Sequence, residues 1–497
     1  MGKNYFSKKV LQVIILFFLI GTANVSAQVG IGTTTPNASS VLDITSTTQG
    51  MLTPRMTTAQ RAAIVSPADG LMVYDTDLKA FNYYNSSAST WTVMNSAATG
   101  RLKFKRIRST DVLATVLATE LAAGGGAKYI LDSTTHYEIN GTVVFNFPID
   151  LNNASLIGID TNEDIIVRSS GFLFDGTTGG LVKNLTISGA CTVFNLIGSG
   201  NTQTLIFRDS IVSGTASVGT VSGFNLVFFS IINYSGNTTG ITYTNISRLL
   251  LSNIGWFGNS LGTFEKFTGT FSLLEKQGGF CEVNGAAIGV DVSANPIITG
   301  DAVMETVVFT GTLTAGGKYV NGYTTGSYSG YNFNNNWNVR CAGLPSEADP
   351  FTTGNLYLDR TLAYPILQLT NTNSAYKISG TTIGTNLFRM DSAVSNRLVY
   401  AGKKTRTFTV SATVSVEGSS GTTDVLFYFV KFAPSGTPFT FVTSSETFIE
   451  HNTTNVQSFS VVGTVSLAAG EYVELYAQRL NGSNKTFTFR SYNVSMK

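Results

Sequence analysis

Charge is what this chain has little of. Only 12% of its 497 residues are Asp, Glu, Lys or Arg, against about 25% in an average soluble domain. The net charge is +2, so no global field draws it to nucleic acid or an anionic membrane. Cysteine and histidine are scarcer. Cys191, Cys281 and Cys341 lie far apart, and His136 and His451 are the only histidines. The three thiols allow at most one disulfide and leave one over. CxxC spacing is absent, which argues against a structural zinc site; we expect no metal and no cofactor. After the first 27 residues no apolar stretch is long enough to span a membrane.

Uncharged polar and β-branched residues fill the gap. Thr, Ser, Asn, Val and Phe are abundant beside 50 Gly, a mixture that suits strands with polar but neutral faces. Disorder would need low hydrophobicity and high net charge. Residues 1–27 read as a secretory signal peptide. Lys3, Lys8 and Lys9 form the basic region, Val10 to Ile20 the apolar core, and Val25-Ser26-Ala27 the small residues before Gln28. No Cys follows that point, which argues against a lipid anchor.

Residues 28–100 form a first module. It opens with VGIGTTTPNASSVLDI and continues through PRMTTAQRAAIVSPADGLMVYDTD. Thr57 and Gln60 have capping-box spacing, which predicts a short helix over 58–64. GLMVYDTD, AFNYYN and TWTVM read as short strands. These residues resemble the N-terminal module of a family of bacterial exported surface proteins and phage tail-fibre proteins. The resemblance implies an extracellular fibrous setting and brings no catalytic residues with it.

Residues 101–345 carry a repeat. NLTISG, TLIFRDS, NLVFFSI and RLLLSNI align on Leu185, Leu205, Leu226 and Leu249, with Ile187, Phe207, Phe228 and Leu251 two positions on. Period-two apolar pairs mark one face of a strand. Recurrence every twenty-odd residues marks stacked coils. The pattern predicts a right-handed parallel β-helix whose strands end at Gly189, Asp209, Ser230 and Asn253. HYEINGTVVFNFPIDLNNASLIG, 136–158, resembles the opening coils of pectate-lyase-like β-helices, including phage tailspikes. Residues 346–395 read as a connector. Residues 396–497 alternate as antiparallel strands, with Val473, Leu475 and Ala477 on one face and Tyr472, Glu474 and Tyr476 on the other. Their order resembles jelly-roll heads of the C1q and tumour-necrosis-factor type, which implies a homotrimer. Large aromatics on both faces, Phe427, Tyr428 and Phe429, point the same way, with Tyr428 left for a three-fold interface. The expected fold is thus all-β: a small N-terminal module, a β-helix, then a jelly-roll sandwich.

Polysaccharide cleavage needs paired carboxylates about 5–9 Å apart. Asp209 is the only carboxylate across 176–260 and no aligned coil supplies a second. We therefore expect no catalytic residues there. The cluster Asp160, Glu163 and Asp164 reads as a solvated turn, with a cation or sugar site as the sharper alternative. Glu265, Glu275, Glu282 and Asp291 are further acids whose meeting the sequence does not show. RLKFKRIR, 101–108, reads as an exposed strand or neck, with an acidic glycan as its alternative ligand. Tyr323, Tyr328, Tyr331, Phe333 and Trp337 alternate with Gly, Ser and Asn. Such rings either close the end of the β-helix or stack on sugars, and they are the glycan-binding candidates. The function expected is a non-enzymatic fibre: an adhesin or phage receptor-binding protein that recognises a surface glycan or receptor. It would be exported to the cell surface or carried on a virion tail. The alternative is a polysaccharide lyase or glycoside hydrolase on the β-helix.

Overall fold

The computed structural model describes residues 10, 12–15, 28–94 and 103–497. The signal-peptide reading falls largely outside them, as do Arg101 and Leu102 of the basic cluster. No helix among the described residues is long and apolar enough to cross a membrane. The chain divides into two units, residues 1–102 and 103–497.

In the first unit Val29–Ile31 pairs in parallel with Leu42–Ile44. Four short strands, Arg55–Met56, Met72–Asp75, Ala80–Asn85 and Thr90–Val93, make a small sheet. The helix Thr58–Ala62 begins at the capping box of Thr57 and Gln60. Only Val73 among the apolar residues of 28–94 is buried; the rest of the interior is polar, with Arg61, Asp75 and Asn82. Arg61 bonds Asp75 at 3.0 Å and Asn82 at 2.8 Å. Meanwhile Leu52 is 81% exposed and Met51 59%.

The second unit opens as a β-solenoid. Strands of successive coils pair in parallel into a thirteen-stranded and a nine-stranded sheet. The long strands Thr204–Ser213, Leu226–Ser235 and Arg248–Phe257 each cover two faces of the solenoid. They bend between the faces at one residue in the left-handed region. Asn184, Asp209, Ile231, Asn253, Gly278 and Thr306 occupy this corner in six successive coils, with φ between 51° and 68°. Asn, Asp and Gly tolerate that conformation, whereas the β-branched Ile231 and Thr306 adopt it at a cost.

Inward side chains stack into ladders. One runs Leu205, Val227, Leu249, Leu274, Ala302, Trp337. Another runs Phe207, Phe229, Leu251, Lys276, Met304, Val339. This corrects the register read from the sequence. Leu205 and Leu249 do share a ladder, but Val227 stands between them, while Leu226 faces Arg248. Leu185 lies beside the second face, where Thr186 pairs with Ile211. Thr186–Ser188 does end before Gly189, but the long strands do not stop at Asp209, Ser230 or Asn253. They bend there and go on, and the residue opposite Asp209 is Ile231 rather than Ser230.

A third ladder, on the nine-stranded sheet, runs Phe174, Phe194, Gly219, Ile241, Glu265, Val290, Val320. Glu265 and Lys276 each replace one apolar rung and meet inside the core at 2.9 Å, with side chains 0% and 2% exposed. Burial raises the Glu265 pKa and the Lys276 charge opposes it.

The basic cluster is part of the solenoid. Phe104–Arg108 pairs with His136–Asn140 as its first rung. Lys105 bonds Glu120 at 2.6 Å and Arg106 bonds Glu138.

The chain ends in two antiparallel sheets that enclose one core, with Val410, Val414, Phe427, Phe429, Leu475 and Phe487 inside. The stretch read as a connector belongs here. Thr353–Leu358 and Ile366–Leu369 pair with Lys485–Met496, and Ala375–Lys377 pairs with Tyr472–Gly482. These strands are short and broken by Pro365 and Gly380, so no long alternation betrays them. Tyr428 is also not left open. It is 1% exposed, covered by the Phe441 ring at 5.2 Å and bonded to Gln478. Exposed rings of this sandwich include Phe439, Phe441 and Phe448 instead, with Tyr357 and Tyr364.

Candidate functional site

The corner of the solenoid opens into a groove of about 570 Å³, lined by Ile159, Asp160, Thr161, Asn184, Asp209, Ser210, Ile211, Ile231 and Asn233. That volume lies in the range of small-ligand sites, about 300–1,000 Å³. Its wall is built by three kinds of residue. Corner residues Asn184, Asp209 and Ile231 come from successive coils. Outward positions of the second face supply Ile211 and Asn233, which pair in register. A loop supplies Ile159, Asp160 and Thr161.

Buried Asp164 fixes that loop. Its carboxylate accepts the amides of Ile159 at 2.6 Å, Asp160 at 3.0 Å and Gly141 at 2.9 Å. Burial acts to raise its pKa, but those three amides outweigh it and hold the group below the usual carboxylate range. Asp164 is therefore a structural residue, and Asp160 beside it is exposed to the groove. Asp209 accepts the Arg208 guanidinium at 2.7 Å.

The groove brings Asp160 and Asp209 to one cavity. Counting carboxylates coil by coil missed this, because the Asp160 loop leaves the coil it belongs to. Two carboxylates, two amides and three isoleucines give hydrogen-bond acceptors and donors beside apolar patches. That set suits a hydroxyl-rich ligand with C–H faces. Ile231 adds a second signal. It is a β-branched residue at φ 54°, 53% exposed. A left-handed β-branched residue costs about 1–2 kcal/mol, and such strain gathers at functional sites.

The five aromatic candidates do not come together as one open surface. Tyr323, Phe333 and Trp337 are 8%, 1% and 0% exposed and belong to the solenoid core. The Trp337 indole donates to Tyr323 at 3.0 Å, and burial pushes the Tyr323 hydroxyl up to about 12. A ring without an accessible face has none to offer a sugar. Tyr331 stacks on Phe388 of the sandwich at 4.1 Å and Tyr328 meets the same ring edge-on at 5.4 Å. The segment is the seam between solenoid and sandwich. Arg389, 1% exposed, locks it by donating to Asp349 and to the carbonyls of Trp337 and Glu347.

Two of the later acids are already paired. Glu265 is inside the core, and Asp291 lies 3.9 Å from Lys266. Among the described residues no group of three or more His, Cys, Asp or Glu side chains is placed to hold a metal ion.

No curated protein sequence matches the chain. Among solved structures it is similar to the enzymatically active domain of tailspike protein 4 of bacteriophage CBA120, at 10% identity and a TM-score of 0.27, over 89% of this chain and 77% of that one. It is also similar to the tailspike protein of Acinetobacter phage vB_ApiP_P1, at 11% identity and a TM-score of 0.29, over 90% of this chain and 99% of that one. Residues 30–109, the first unit together with the opening solenoid strand, match the family model of the phage tail-like trimerisation region.

Proposed function

We propose that the protein is a trimeric attachment fibre, exported or carried on a virion tail, that binds a surface glycan through the solenoid groove. The observation that carries the assembly is the first unit. A module with Val73 as the one buried apolar residue among its described residues 28–94 has too little core to stand alone. Met51, Leu52, Arg55, Tyr74 and Phe81 line a cleft on it, and neighbouring copies would cover such apolar surface. The family match over 30–109 supports the same reading. The groove supports the ligand class, with Tyr328 and Tyr331 as a secondary contact and the sandwich as a jelly-roll head.

Light scattering on the full chain tests the assembly. Three times the 53.0 kDa chain mass, less any leader removed, is expected; a monomer at micromolar concentration would sink it. Binding to printed capsular and O-chain oligosaccharides tests the ligand. A second reading has its own support: two acids in one groove are the equipment of a glycoside hydrolase. Release of reducing ends that disappears in Asp160→Asn and Asp209→Asn would replace the non-enzymatic reading with that one.

A further inference from the structure

We propose that Phe257 and Phe280 form a sugar-stacking plate on the second face of the solenoid, beside the groove, where they hold one unit of the glycan. The inference rests on the groove being a glycan site and extends it along the next two coils.

Asn233, Gly255 and Phe280 occupy one row across three successive coils. Phe257 is two residues on from Gly255 and so shares its face. The two rings lie 5.4 Å apart at 42°. Gly255 is the floor beneath them. A Cβ there would come within 3.3 Å of each ring and 3.2 Å of the Asn233 side-chain oxygen. A side chain there would push both rings and the amide apart by a few tenths of an ångström. Phe280 is nevertheless 43% exposed, whereas Phe194, Phe207 and Phe229 of the same solenoid are fully buried.

An exposed ring, Phe280, with the half-buried Phe257 packed against it and an amide nearby offers what a pyranose needs: flat apolar area for its C–H face and partners for its hydroxyls. Asn233 supplies the link, since it lines the groove and its side-chain oxygen lies over Gly255, the same residue that the two rings approach. Glu282, in the coil after Phe257, adds an acceptor. A second copy of the chain fits less well. Copy–copy contacts need on the order of 800 Å² per partner, and here the apolar run Phe257, Phe280, Val308 is hemmed by Asn233, Glu282 and Thr310.

The test uses the full chain on an array of bacterial capsular and O-chain oligosaccharides, followed by titration of one that is retained. Phe280→Ala and Phe257→Ala are each expected to weaken binding about tenfold, in line with one lost aromatic contact. Phe280→Tyr should keep it. Melting temperature and mass by light scattering should match the wild type in all three. If the wild type is retained and Phe280→Ala binds equally well, the plate is wrong and the groove reading stands. If no oligosaccharide retains the wild type, both fall. If Phe280→Ala lowers the oligomeric mass, the rings are a copy–copy contact and the plate is overturned.

Discussion

The solenoid and the sandwich solve the same problem, a long all-β chain with few charges, in opposite ways. The solenoid repeats one cross-section, so each rung meets its like above and below. Its polar groups lie at corners and on outward face positions, and one pair, Glu265 and Lys276, sits inside the core. The sandwich closes a single core with Val, Phe and Leu and keeps its ion pairs on the outer side. There Glu474, with a side chain 3% exposed, bonds Lys377 at 2.6 Å and Arg397 at 2.7 Å. The same type of pair is thus a rung in one region and a cover in the other. A stacked fold can admit one polar rung if the facing ladder answers it in the next coil; a closed sandwich has no facing ladder in register.

Substitutions at six positions test that contrast. The largest effect is expected at the inner pair. Lys276→Met leaves Glu265 without its cation in an apolar interior and should cost about 3–5 kcal/mol, whereas Lys276→Met with Glu265→Leu should recover most of it. Urea unfolding followed by tryptophan fluorescence reads both. A single variant as stable as wild type would mean the pair is not dry. Glu474→Gln, on the sandwich cover, should cost only about 1 kcal/mol.

Next comes the seam. Arg389→Met removes donors from Asp349 and two carbonyls. It should split unfolding of residues 103–497 into two calorimetric transitions, one per region; one unchanged transition would show that the regions are coupled without it.

A smaller effect separates the regions by pH. His451 is fully buried in the sandwich, and neither ring nitrogen has a hydrogen-bond partner. Burial, then the Lys485 charge, lowers its pKa. The unfolded chain therefore binds more protons than the folded one just below the ordinary histidine pKa of about 6.5, so stability falls as pH drops from there. Sandwich stability should decline on the order of 1 kcal/mol per pH unit in that window, and His451→Phe should flatten the profile between pH 7 and 5. If the mutant keeps the slope, another group carries it.

The smallest expected effect is a gain. Ile231→Asn relieves the left-handed corner and should stabilise the solenoid by about 1 kcal/mol. No gain would mean the corner is not strained.

The coil period was readable in the sequence because inward positions are nearly all aliphatic or aromatic. Register was not. Aligning on leucine misplaced Leu226 and Leu185, since Val227 serves as well as Leu in a ladder. A left-handed corner residue also shifts the alternation from one face to the next. The capping box at Thr57 was readable because it is local. The groove was not, since Asp160 and Asp209 meet only when coils stack. Nor was the fate of the aromatic segment. Rings among Gly and Asn look the same in a sugar site and in a seam, and the partner that decides, Phe388, lies far along the chain.

The three cysteines have a consequence for how this protein can be watched. All are free thiols, all are in the solenoid core and none is in the sandwich. Burial raises the pKa of each, that of Cys281 to about 12, so little thiolate exists to react. Once the chain is folded, its covalent state is then little affected by whether the compartment is reducing or oxidising. A thiol-alkylating reagent becomes a selective reporter: it counts opening events of the solenoid and stays blind to those of the sandwich.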